Sequence, residues 1–235
     1  PVSSPQNEQA LATVSGDGTL VYREGSRGVH SRLVWLDRKG LGTAVIRERE
    51  LIADFSLSRD GNRLAVAGHG VGQGSTDLWV QDLVRGTRSR VTFEEGSESY
   101  PVWSPDDRFL YYSNDRKNDG VIYRRRADGT GSPEEIGTTD SGIWPLAASR
   151  DGRWLVVGGV GATSSQDLLR FDLTTKELGP LVETPFLDEE PALSPDDRFL
   201  AYASEESGRW EVYVQALDGE RGRWQISTER GLRPR

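Results

Sequence analysis

The sequence predicts an all-β fold, a β-propeller of four-stranded antiparallel blades, on three observations. One motif returns at near-constant spacing, each repeat divides into four short alternating segments, and turn residues separate those segments. The motif is clearest in Tyr100-Pro101-Val102-Trp103-Ser104-Pro105-Asp106-Asp107-Arg108-Phe109-Leu110. It returns as Glu190-Pro191-Ala192-Leu193-Ser194-Pro195-Asp196-Asp197-Arg198-Phe199-Leu200. Weaker copies surround Ser15, Ser58 and Ser149, so the five anchor serines lie 43, 46, 45 and 45 residues apart. A four-strand unit of this length is the blade of a propeller.

Taken in order, the repeats divide a single domain, 1–235, into blades at about 9–50, 51–96, 97–140, 141–185 and 186–230. The first has strand segments at 10–14, 19–22, 31–37 and 43–46, and the second at 54–58, 63–67, 77–83 and 89–92. The third has them at 100–104, 109–113, 121–126 and 133–137. The fourth places them at 144–148, 154–157, 167–173 and 177–182, and the fifth at 190–194, 199–203, 211–217 and 223–227. Beyond these, Pro234 aligns with Pro101 and Pro191, which reads as the start of a sixth blade in a truncated six-bladed ring. With no methionine even at position 1, the chain reads as a fragment of a longer protein.

The recurring residues have structural reasons. In Ser-Pro-Asp-Asp and Ser-Arg-Asp-Gly, the serine and aspartate side chains bond nearby backbone N–H groups, and the last position tolerates φ > 0. Asp17, Asp60, Asp106, Asp151 and Asp196 are therefore turn residues rather than a convergent site. Asp107 and Asp197 replace glycine at the last position, and Asp107→Gly and Asp197→Gly are each expected to stabilise by relieving a left-handed backbone. Trp35, Trp79, Tyr123, Phe171 and Tyr213 fall in third strands and are expected to pack between blades.

Charge and composition narrow the function. With 37 acidic against 29 basic residues the net charge is −8, which opposes a nucleic-acid partner. There is no cysteine, so disulfides and thiol chemistry are absent. No apolar run is long enough to insert into a membrane. His30 and His69 are the only histidines, and the glycine-rich Gly68–Gly74 segment matches no phosphate-binding pattern. No catalytic, cofactor or metal constellation is predicted. Carboxylates do recur between each blade's last strand and the next blade's first. Glu50, Glu98, Asp140, Asp188, Glu189 and Glu190 form a candidate ligand-binding rim at the channel mouth, suited to a protein or peptide that carries positive charge.

The pattern Pro-x-Trp-Ser-Pro-Asp-x-Arg-x-Leu, with Asp77-Leu78-Trp79-Val80-Gln81-Asp82-Leu83 and the ending Arg90-Val91-Thr92, resembles the WD40-like repeats of the TolB family. The segment Ser31–Gly40, with Thr184-Pro185-Phe186 and Trp224–Thr228, is similar to the C-terminal propeller of bacterial serine/threonine protein kinases. That resemblance implies a non-catalytic binding or sensor domain outside the cytoplasm, following a kinase domain. Two other implied readings are a substrate-gating propeller of a prolyl-oligopeptidase-like serine peptidase and a stand-alone TolB-like periplasmic protein.

Overall fold

The computed structural model describes residues 12–14, 20–24, 30–36, 42–45, 51–69, 74–116, 120–159, 166–217, 222–232 and 234. Among these residues twenty strands form five sheets, each a four-stranded antiparallel meander in chain order. The first blade contains β1 (Ala12–Val14), β2 (Leu20–Glu24), β3 (Arg32–Leu36) and β4 (Gly42–Ala44). The second contains β5 (Ile52–Leu57), β6 (Arg63–His69), β7 (Thr76–Asp82) and β8 (Arg88–Arg90). The third contains β9 (Glu98–Trp103), β10 (Phe109–Asn114), β11 (Val121–Arg126) and β12 (Glu134–Gly137). The fourth contains β13 (Ile143–Ala148), β14 (Trp154–Gly159), β15 (Asp167–Asp172) and β16 (Leu178–Pro180). The fifth contains β17 (Asp188–Leu193), β18 (Phe199–Ser204), β19 (Glu211–Ala216) and β20 (Arg223–Gln225).

Strand alternation builds the core as four joints, one between each pair of neighbouring blades. In β10, Leu110 and Tyr112 face the second blade and join Leu78, Val80 and Val91, whereas Tyr111 faces the fourth and joins Ile143, Leu155 and Val157. Likewise Trp154 and Val156 of β14 turn to the fifth blade, against Leu200, Tyr202 and Tyr213. Val21 and Leu33 of the first blade meet Phe55, Leu64 and Val66 of the second. Of the third-strand aromatics, Trp35, Tyr123, Phe171 and Tyr213 do pack in these joints. Trp79 instead lies beneath the Arg88 guanidinium, 4.9 Å from its ring centre. The five are not register equivalents. Trp79, Tyr123 and Tyr213 pair with Val66, Tyr112 and Tyr202, whereas Trp35 and Phe171 pair with Val21 and Leu155, nearer the first hairpin turn.

The anchor turns behave as their residues require. The hydroxyls of Ser58, Ser104, Ser149 and Ser194 donate to Asp60, Asp106, Asp151 and Asp196 at 2.6–2.7 Å. The same hydroxyls accept the N–H groups of Arg63, Phe109, Trp154 and Phe199, which fixes the width of each hairpin. The serine bond holds the Asp106 and Asp196 carboxyls below the usual carboxylate range. Asp17 lies outside the described residues. The last turn position is left-handed, with φ of 71° at Gly61, 56° at Asp107, 68° at Gly152 and 57° at Asp197.

The expected gain from glycine at Asp107 and Asp197 is opposed by what their carboxylates do. Asp107 accepts the N–H groups of Arg59 and Asp60 in the second blade, at 2.8 and 3.0 Å. Asp197 accepts the Arg150 N–H in the fourth blade at 2.6 Å. These are charge-assisted bonds between blades, and they oppose the gain from relieving the left-handed strain. At the intervening joint the preceding turn has Pro105, which offers no N–H, and the following turn has Gly152. A Cβ on Gly152 would meet the Pro105 ring at 3.2 Å. The three joints from the second blade to the fifth therefore alternate between an Arg–Asp and a Pro–Gly pairing.

The same alternation runs through the joint interiors. Tyr112 stacks on Tyr123 and Tyr202 on Tyr213, at 5.9 and 6.1 Å between ring centres, where the intervening joint has Val157 opposite Leu169. At the first position of the inner strand, Glu98 and Asp188 alternate with Ile143. Chemically the repeat is therefore two blades long across the second to fifth blades.

Candidate functional site

A meander of four antiparallel strands puts its first and third turns at one end and its second turn, with the linker to the next blade, at the other. The anchor turns occupy the first end. The second, or linker, end holds the residues predicted to form the rim. Its linkers carry Glu94, Glu95, Asp140 and Glu183, and Asp115, Glu205 and Glu206 follow second strands. Arg116 lies there too, bonded to Glu95 at 3.3 Å, as does Arg209, bonded to Glu211 at 2.7 Å. Among the described residues acidic side chains dominate this end, which gives it a negative field.

The predicted rim residues divide into three groups. Asp140 is exposed, and Glu189 and Glu190 are half-buried on β17, so these three border the linker face. Glu190 and its counterpart Tyr100, each preceding a proline, both have φ of 55°. This coincides with a bulge that interrupts the pairing of β17 and β9 with their second strands. Glu50 lies outside the described residues.

Glu98 and Asp188 are fully buried, and they are joint residues rather than exposed rim. Thr92 of the preceding linker donates its hydroxyl to Glu98 Oε2 at 2.9 Å while accepting the Leu78 N–H at 2.8 Å. Asn114 Nδ2 donates to Glu98 Oε1 at 2.6 Å. The Thr76 hydroxyl donates to the Glu98 backbone carbonyl, again across the joint. Asp188 repeats the scheme with Thr184, whose hydroxyl donates to Oδ2 at 2.6 Å. Burial pushes the Asp188 carboxyl above its ordinary value despite the Ser204 and Thr184 bonds. One sequence signal separates these two from the rim: both stand six residues before an anchor serine, where Ile52 and Ile143 also stand. That position points inward.

The linkers into the fourth and fifth blades are tied to the blades they leave. The Ile143 N–H donates to the Gly120 carbonyl at 2.9 Å and the Asp188 N–H to Gln166 at 3.4 Å. The Gly231 N–H makes the same bond to the Trp210 carbonyl at 3.0 Å. The outward face of the fifth blade presents Trp224 and Ile226, 49% and 61% exposed.

The description "TolB beta propeller domain" matches this chain over residues 44–233. The chain belongs to the TolB β-propeller family. TolB from Acinetobacter baumannii superposes with a TM-score of 0.78 at 22% identity, over 94% of this chain and 55% of its own. A puromycin-hydrolyzing peptidase of Mycobacterium tuberculosis superposes with a TM-score of 0.66 at 19% identity, over 95% of this chain and 38% of its own. Both likenesses show the fold. An uncharacterized protein of Agrobacterium fabrum is 35% identical over 68 residues, which are 29% of this chain and 23% of that protein. The chain thus spans 23% to 55% of these three relatives.

Among the described residues of this TolB-type propeller, no helix is long and apolar enough to cross a membrane. No group of three or more acidic or histidine side chains is placed to hold a metal ion there.

Proposed function

We propose that this propeller is a non-catalytic binding module that recognises a positively charged protein segment on its linker face. The observation that carries this reading is the gathering of unburied carboxylates, Glu95, Asp140, Glu183 and Glu189 among them, on the end opposite the anchor turns. Such a field raises the encounter rate with a cationic partner and is screened by salt. Family membership supports a location outside the cytoplasm. A kinase domain upstream and a sixth blade belong to the same proposal. The second is supported by the apolar outward face of the fifth blade and by the Gly231 bond, which repeats those at the starts of the fourth and fifth blades.

A second reading rests on the peptidase likeness, in which the propeller controls entry to an adjoining catalytic domain. The two readings differ in the surrounding reading frame, since a serine peptidase needs a nucleophile and its base there. Binding is tested by capture from a library of basic, neutral and acidic peptides. Retention of basic peptides that falls as salt is raised is the expected result. Preferential capture of acidic or neutral peptides would overturn the proposal.

A further inference from the structure

Around the joint between the second and third blades, three carboxylates lie near one another, two of them bonded by arginines. Asp77 on β7, itself buried, is bonded by Arg90 of β8 at 2.7 Å. Glu94 in the linker is bonded by Arg125 of β11 at 2.5 Å. Glu98 is the third carboxylate, enclosed by the neutral side chains of Thr92 and Asn114. Both arginines are thus engaged by the other two acids, and the charges acting on Glu98 from Asp77 and Glu94 are negative. An ionised Glu98 is a fully buried charge whose two side-chain partners, Thr92 and Asn114, are neutral. Burying an unmatched charge is costly.

We infer that this joint is proton-linked: neutral Glu98 closes it, and ionisation of Glu98 loosens the start of β9 from the second blade. Burial pushes the Glu98 carboxyl up to about 7, against the bonds from Thr92 and Asn114 that favour the charged form. A group raised on folding contributes stability that is fully present below its unfolded value, here near 4.5, and is lost as pH rises through about 7. Tyr112 of β10 also adjoins the site; burial and the nearby Glu94 and Glu98 charges push its hydroxyl up, so it stays neutral over this range. His69 stands opposite Thr76 on the neighbouring strand and is present in both forms compared below. The loosened element leads out of the linker that carries Glu94 and Glu95, so acidity of the medium acts on the proposed binding face.

The test compares amide hydrogen exchange in β9 and at Leu78 between the parent and Glu98→Gln, each from pH 5 to pH 8. Gln keeps an acceptor for Asn114 and cannot ionise. The parent-to-variant ratio of exchange rates is expected to be lowest at pH 5 and to rise with pH, by at most about ten-fold per pH unit. A ratio that stays constant across the range would overturn the inference. Should the variant fail to fold, the Glu98 carboxyl carbon of the parent is titrated by NMR. A midpoint near 7 supports the linkage, and one near the ordinary carboxylate value overturns it.

Discussion

Gly120→Ala is expected to destabilise the propeller by about 2 to 5 kcal/mol, the sum of a left-handed alanine and a backbone collision. Gly120 has φ of 92°, and a Cβ there would lie 2.3 Å from the Ile143 nitrogen and 2.4 Å from the Gly142 Cα. Neither neighbour can rotate away, because the Ile143 N–H is bonded to the Gly120 carbonyl and starts the fourth blade's inner strand. The substitution therefore separates two blades where one hands the chain to the next. Thermal unfolding checks it, with a midpoint roughly 10 °C lower expected for a domain of this size. Gly179→Ala, at a site with nothing within 4 Å, is the control and is expected to change little.

The alternation of joints makes the second large prediction. Asp107→Gly loses two carboxylate bonds to the second blade and relieves about 1 kcal/mol of left-handed strain, for a net destabilisation of about 2 kcal/mol. Arg59→Pro alone removes one donor and leaves a carboxylate oxygen facing proline. The double variant recreates the Pro105–Gly152 pairing of the next joint. It is expected to be more stable than the sum of the single changes implies, by about 1 kcal/mol or more. Denaturant unfolding of the four proteins measures this. Simple additivity, or a gain from Asp107→Gly alone, would show that the two turns are not coupled.

The reach of the sequence differs from residue to residue. The 45-residue period exposes the blades because serine, aspartate and proline do the same local work in each turn, and local work leaves a local signature. The left-handed backbone at Asp107 and Asp197 was readable for that reason. Their carboxylates were not, because the groups they bind, Arg59, Asp60 and Arg150, lie 47 or 48 residues earlier in another blade. The trace it leaves is a correlation: Ser-Arg-Asp-Gly is followed one repeat later by Ser-Pro-Asp-Asp, twice. The candidate site was legible as an end of the molecule, since connection order alone decides which linkers share it. Which acids face solvent there was legible only through register: Glu98 shares the inward position of Ile52 and Ile143, six residues before an anchor serine, and Asp140 does not. Burial under Thr92 separates them, and that contact crosses between blades.

Recognition by the linker face is decided by titrating a short labelled peptide of alternating lysine and glycine at about 0.05 and 0.2 M salt, which bracket a Debye length of about 10 Å. Three proteins are compared: the parent, Asp140→Asn with Glu183→Gln and Glu189→Gln on the linker face, and Glu134→Gln with Glu177→Gln near the opposite end. Glu98 and Asp188 stay unchanged because they hold joints. The expected result is tighter binding to the parent at low salt, a marked loss in the linker-face variant, and parent-like binding in the other. Equal affinity in all three proteins, or a loss confined to Glu134→Gln with Glu177→Gln, would contradict recognition by the linker face.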